Sequence, residues 1–320
     1  MPRGFLISDE RKNIMIKFHI AESTKSVSLN ITLADMLREK PEYFRDFKIA
    51  SFFGSPAVKW NGGRMILGPY YPDREKAILD GYNSRGIPYR FTFTNPSITE
   101  ADLEDKDCNE LLNMADNGMN EVIVYSPILE EYIRKTHPNM KITSSTCKCI
   151  RSIEEVKAEL AKPYSLVVLD YNFNNDFETL EKLTPEERKR CELLINAHCV
   201  PGCPRRAEHY KYIGDVQIRI NEIRKMTPQE FRASGITEWE CKYRTFDPFK
   251  GTPTKLEMAP DDVFGKYAQM GFENFKIEGR ASNLMVLCEQ MVQYLAKPEK
   301  KDALRYQIMM NALDYGYLNF

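Results

Sequence analysis

The sequence predicts an α/β protein, a (β/α)8 barrel of the TIM type preceded by a short N-terminal β/α extension. Short apolar runs alternate with amphipathic helical segments from residue 47 onward, which implies βαβ units and a parallel sheet. The beat repeats about eight times, the number a closed parallel barrel takes. No Gly-x-Gly-x-x-Gly turn follows any of the runs, as it would in a doubly wound sheet that binds a dinucleotide. The expected units are residues 1–45, the extension, and 46–320, the barrel.

In the extension, residues 13–20 alternate apolar and polar as a half-buried strand does, and 32–44 have amphipathic helical spacing. The first barrel strand is Phe47-Lys-Ile-Ala-Ser-Phe-Phe, ending at Gly54, with a helix at 73–84. Strands at 89–94, 121–125, 140–144 and 165–170 follow, interleaved with helices at 107–117, 127–135 and 153–161. Residues 191–196 give the sixth strand, 235–240 a weaker seventh, and 274–279 the eighth, followed by a helix at 282–295. Polar loops lie around Pro185 and from Phe246 to Pro260, and no low-complexity linker divides the barrel.

With 42% hydrophobic and 28% charged residues and a net charge of −1, the composition is that of an ordinary globular chain. It gives no electrostatic footprint for a polyanion as default partner. Charges follow the first apolar residues at once, so no signal-peptide core is expected, and no run approaches the roughly 18 apolar residues of a membrane helix. The expected setting is cytoplasmic, without a membrane partner. The substrate side is open between a small molecule and RNA, and a partner protein or a second copy of the chain is compatible with the sequence.

In a reducing compartment the eight cysteines do not read as a disulfide framework. Barrel chemistry sits on the loops after the strands' C-terminal ends, which turns sequence position into spatial position. Cys199-Val-Pro-Gly-Cys203-Pro follows the sixth strand there, and Cys241 follows the expected seventh. Thiolates flanking a short Gly/Pro turn can converge on one metal. A radical-SAM triad is excluded, because Arg206 stands where the next cysteine belongs. Cys147, after the fourth strand, or Cys108, after the second, could complete a set, whereas Cys191 and Cys288 read as core residues and Cys149 stays unassigned. Zinc and an iron–sulfur cluster both fit such donors, and spacing does not choose between them.

Around this rim, Arg205 and Arg206 could offset thiolate charge or hold an anionic substrate, and His198 could be a ligand, an acid/base group or a hydrogen-bonded rim residue. Lys276, Glu278 and Arg280 alternate along the last strand and so share one face, as an ion network or an anion site. Asn61-Gly-Gly-Arg64 is either an anion-binding nest or a tight turn. The acidic and amide residues from Asp170 to Asp176 lack the spacing and terminal Glu of a calcium loop and read as a strand end with a helix cap.

The segment Leu194-Ile-Asn-Ala-His-Cys-Val-Pro-Gly-Cys-Pro-Arg-Arg-Ala-Glu-His209, with Glu240-Cys241 and Phe275-Lys-Ile-Glu-Gly-Arg280, resembles the collagenase-like peptidase U-32 superfamily. The resemblance spans the chain from about residue 47. It implies a barrel with a four-iron–four-sulfur (4Fe-4S) cluster, held by Cys199, Cys203, Cys241 and either Cys108 or Cys147. It further implies oxygen-independent hydroxylation or a related modification of a small molecule or RNA, with a zinc- or cluster-stabilised binding protein as the alternative. Proteolysis is implied by the superfamily's name, but the chain contains neither a Gly-x-Ser-x-Gly elbow nor a His-Glu-x-x-His motif.

Overall fold

In the computed structural model, which describes residues 14–22, 26–197, 199–223, 229, 233–236, 239–241, 256–279 and 284–314, eight parallel strands close into one barrel in sequence order. They are β1 (Lys17–Ala21), β2 (Lys48–Gly54), β3 (Tyr89–Phe93), β4 (Glu121–Val124), β5 (Lys141–Ser144), β6 (Val167–Val168), β7 (Cys191–Leu194) and β8 (Asn274–Ile277). The ring closes where β8 pairs with β1, Lys276 opposite His19.

Helices α1 (Val27–Glu39), α2 (Pro72–Asn83), α3 (Lys106–Ala115), α4 (Pro127–Thr136) and α5 (Ile153–Leu160) each follow their strand. Two short helices, α6 (Phe177–Leu180) and α7 (Pro185–Lys189), lead into β7, and α8 (Arg206–Ile223) follows it. Helices Leu284–Leu295 and Lys301–Asp314 close the chain. Local chemistry sets the starts: Asp105 accepts from the Cys108 amide at 3.0 Å, and Ser152 and Glu155 form a reciprocal cap on α5. Among the described residues no helix is long and apolar enough to cross a membrane.

Three features depart from the sequence-based expectation. The segment expected as an extension supplies β1, a full barrel member paired with both β2 and β8, so that the barrel begins inside residues 1–45. Its helix runs from Val27 to Glu39 rather than 32–44, because Pro41 cannot continue it. The expected seventh strand at 235–240 is absent among the residues described there, and β7 pairs directly with β8. Eight strands is the right number reached with one wrong member.

Alternation sorts each strand's side chains. Phe18, Ile20, Phe52, Phe91, Val122, Ile142, Leu193 and Phe275 face outward into the main core beneath the helices. Ala21, Phe53 and Ile123 form a separate apolar cluster. Below it, aliphatic layers of the kind that usually fill a barrel are replaced by polar groups. Arg90 on β3 reaches Glu192 on β7 at 2.5 Å, Thr143 on β5 at 2.8 Å and His19 on β1 at 2.8 Å. Contacts among strands that are not neighbours have to cross the barrel interior.

Candidate active site at the barrel mouth

The C-terminal mouth holds a cavity of about 50 Å³ whose wall includes Arg64, Lys276, Glu278, Ser145, Cys147 and Tyr210. Arg64 comes from the loop after β2, and that loop is fixed from three sides. Gly62 packs so tightly that a Cβ there would stand 2.3 Å from the Thr94 carbonyl oxygen. Asn61 donates to the Arg64 carbonyl at 2.9 Å and to Gln217 Oε1 at 3.2 Å, and accepts from Thr92 at 3.1 Å. Gln217 of α8, fully buried, also accepts from the Ile66 amide at 2.8 Å and donates to its carbonyl at 3.1 Å. Arg64 is thereby aimed at Glu278, with Nη2 donating to Oε2 at 2.7 Å, and that carboxylate raises the guanidinium's proton affinity further.

Glu278 stands just beyond β8. Its amide donates to Asn196 Oδ1 at 2.8 Å and its carbonyl accepts from Asn196 Nδ2 at 3.0 Å, so the end of β7 holds the end of β8. Two residues earlier on the same face, Lys276 places Nζ 3.2 Å from Glu192 Oε1 and 3.9 Å from the centre of the Phe53 ring. Lys276 therefore belongs to both the mouth and the interior network. Burial pushes the Glu192 carboxyl up, but Arg90, Lys276 and His19 pull it down and prevail, keeping it below the usual carboxylate range. His19 is driven down to about 3, chiefly by burial, with Arg90 and Lys276 adding to this against the pull of Glu192. Since Arg90 can only donate, His19 Nδ1 accepts, and the ring proton lies on Nε2, which faces Asn274 Oδ1 at 3.4 Å.

Outside the cavity lining, Arg206 at the start of α8 donates through Nη1 to both Asp170 oxygens, at 2.8 and 2.9 Å, and lies 3.7 Å over the Tyr171 ring. Tyr171 is hydrogen-bonded to Tyr210, and burial raises both phenols far above their ordinary range. Arg205 turns outward to pair with Glu208 at 3.2 Å and to cover Trp239 at 4.3 Å. His209 stacks on the same indole, and burial, then Arg64 and Arg205, lower it to about 4. The two adjacent arginines therefore divide, Arg206 into a buried pair with Asp170 and Arg205 onto the surface. His198 and Arg280 lie outside the described residues.

The cysteines divide as well. Cys147 packs with Tyr210 and Ile213, with the half-buried Cys149 alongside in a left-handed turn. Cys199 packs on the cluster of Tyr171, Leu194 and Leu256. Cys203 is buried, and its carbonyl accepts from Arg151 at 2.8 Å. Cys241 is half-buried outside any strand, which removes the rim position expected for it at a strand end. Cys108 lies in the first turn of α3, fully buried in the main core, and burial raises its thiol well above the ordinary range. Cys191 and Cys288 are buried in that core too, both pushed up to about 12 by burial. Among the described residues, no three His, Cys, Asp or Glu side chains gather as a metal would require.

Sequence reasoning missed Arg90, Glu192 and His19, and it left Arg64 between a nest and a turn. The signal was present: Arg90 with Thr92, and Glu192 with Leu194, alternate within apolar strands as Lys276 does with Glu278.

No family model matches the chain, and no curated protein sequence matches it. Among solved structures, a U32 peptidase is similar over 87% of this chain and 96% of its own, with 12% sequence identity and a TM-score of 0.48.

Proposed function

We propose that the protein is an enzyme that binds a small carboxylate-bearing molecule in the C-terminal mouth of its barrel. The observation that supports this is the convergence of Arg64, Lys276 and Glu278, carried by two different strand ends, on one cavity also lined by Ser145, Cys147 and Tyr210. Cations on anchored backbone, in a partly buried site, recognise a carboxylate with little reorganisation. The position is where barrels of this type carry their chemistry. Melting curves against a panel of small carboxylates, amino acids among them, and of phosphates and neutral sugars test the reading. Carboxylates should raise the wild-type midpoint, and Arg64→Met should remove the rise. If the panel produces no rise, or the rise persists in Arg64→Met, the mouth is not the site.

A second reading is iron–sulfur-dependent, oxygen-independent modification of a small molecule or RNA. It is supported by the placement of Cys199 and Cys203 in the loop between β7 and α8, beside the same mouth, together with the motif resemblance. Anaerobic purification with iron, sulfide and zinc analysis tests it. A metal-free protein, unchanged in folding when Cys199 and Cys203 are both replaced by serine, would remove it and the zinc-stabilised alternative together.

A further inference from the structure

The charge balance at the mouth narrows the ligand further than a carboxylate. The cavity wall carries two cations, Arg64 and Lys276, and one carboxylate, Glu278, while Glu192 lies directly beneath Lys276. Arg64 and Glu278 meet at 2.7 Å with 33% and 14% of their side chains exposed, and Lys276 is only 6% exposed. Arg90 also pairs with Glu192, at 2.5 Å, and faces Glu121 at 3.5 Å, so over the whole ionic set the positive and negative groups match, three against three.

A simple monoanion entering there would make four carboxylates against three cations, and uncompensated charge in a partly buried site is costly. A simple amine would tip the balance the other way. A ligand with one charge of each sign adds nothing to the total: it exchanges the Arg64–Glu278 contact for two new ones and leaves every ionic group partnered. The cavity of about 50 Å³ admits only a compact charged head, and anything larger projects through the open mouth.

Resting on the assignment of the mouth as a carboxylate site, we infer that its ligand is a zwitterion of the α-amino acid type. Arg64 and Lys276 take the carboxylate, and Glu278 takes the ammonium. The Asn196 clamp anchors the backbone of Glu278 and the Asn61–Gln217 network anchors the loop of Arg64, so the two side chains need only part from each other to receive the two ends of the ligand.

Calorimetric titration of the full chain with glycine, alanine and serine, and with acetate, N-acetylglycine, methylamine and glycinamide, tests the inference. The free amino acids should bind, and blocking either charge should weaken binding about tenfold or more, as expected when a charged hydrogen bond is lost. Glu278→Gln should abolish the preference of glycine over N-acetylglycine, with the variant's own melting midpoint recorded as a folding control. Acetate or N-acetylglycine binding as tightly as glycine would overturn the zwitterion while leaving the carboxylate site standing. Binding of none of the seven compounds would overturn both.

Discussion

Replacing Glu192 by glutamine removes the carboxylate that Arg90 and Lys276 share, 2.5 Å from one and 3.2 Å from the other. Both cations stay in the barrel interior, 1% and 6% exposed. Breaking a buried ion pair by removing one partner costs about 3–5 kcal/mol, because the survivor keeps its desolvation penalty and loses its compensation. The glutamine carbonyl still accepts from Arg90, and Glu121 lies 3.5 Å from Arg90 Nε, so the lower end of that range is expected at pH 7. At about 2 °C per kcal/mol for a chain of this size, the melting midpoint should fall by about 6 °C or more.

Acid supplies an independent arm. The folded-state carboxyl of Glu192 is held below its ordinary value of 4.5, so its stabilisation is fully present above that value and disappears as the pH falls through the acid range. The gap between wild type and Glu192→Gln should therefore narrow below about pH 4.5. A double-mutant cycle with Arg90→Met should return a coupling of about 0.5–3 kcal/mol. Equal midpoints at pH 7, or a gap that does not shrink in acid, would refute the account of the interior network.

His19 gives a second pH signature. Its folded value near 3, against 6.5 when unfolded, means that the unfolded chain binds the extra proton between those limits, so stability falls as the pH drops through that window. Urea titrations of His19→Gln should show a flatter dependence there, and an unchanged slope would contradict a neutral buried ring. Gly62→Ala would drive a methyl group against the Thr94 carbonyl and should cost about 1–3 kcal/mol. It should also abolish the midpoint rise with ligand, since the loop that carries Arg64 must shift. Cys108→Ala should cost about 1 kcal/mol and leave iron and zinc content unaltered, because the thiol sits in the main core; a drop in bound metal would reinstate it as a ligand.

The fold was legible where the signal is local. Apolar runs such as Glu121–Val124 and the capped starts of α4 and α5 are written within a few residues, and these elements fall close to their expected bounds, whereas the helices Arg206–Ile223 and Lys301–Asp314 had no counterpart in the sequence reading. Closure is different in kind. That residues 17–21 pair with 274–277 is a contact between distant parts of the chain, and no periodicity near residue 17 distinguishes a closing strand from a preface. The false seventh strand had the opposite cause: residues 235–240 carry a weak strand pattern that barrel closure did not use. Cys241 lost its expected rim position with it. The site was half legible, since alternation put Lys276 and Glu278 on one face. The groups they meet, Glu192 and Arg64, come from other parts of the chain, and pairing across a barrel is not recorded in one strand's pattern.

An ionic barrel interior asks for a reason other than stability. Well-packed apolar residues in place of a buried ion pair are often as stable or more so, and the outward faces of these same strands show that the chain builds such packing readily. What the ion network adds is position. Arg90 is fixed by Thr143 and His19, and it fixes Glu192. Glu192 then faces Lys276 from below, while Phe53 lies beneath the ammonium. A lysine has four rotatable bonds and would otherwise lose much entropy on being ordered by a ligand. Here the folding of the barrel meets that cost before the ligand arrives, and the cation stands ready at the floor of the cavity. Substitutions at Glu192 should therefore weaken ligand binding through Lys276, even though Glu192 itself is not part of the cavity wall.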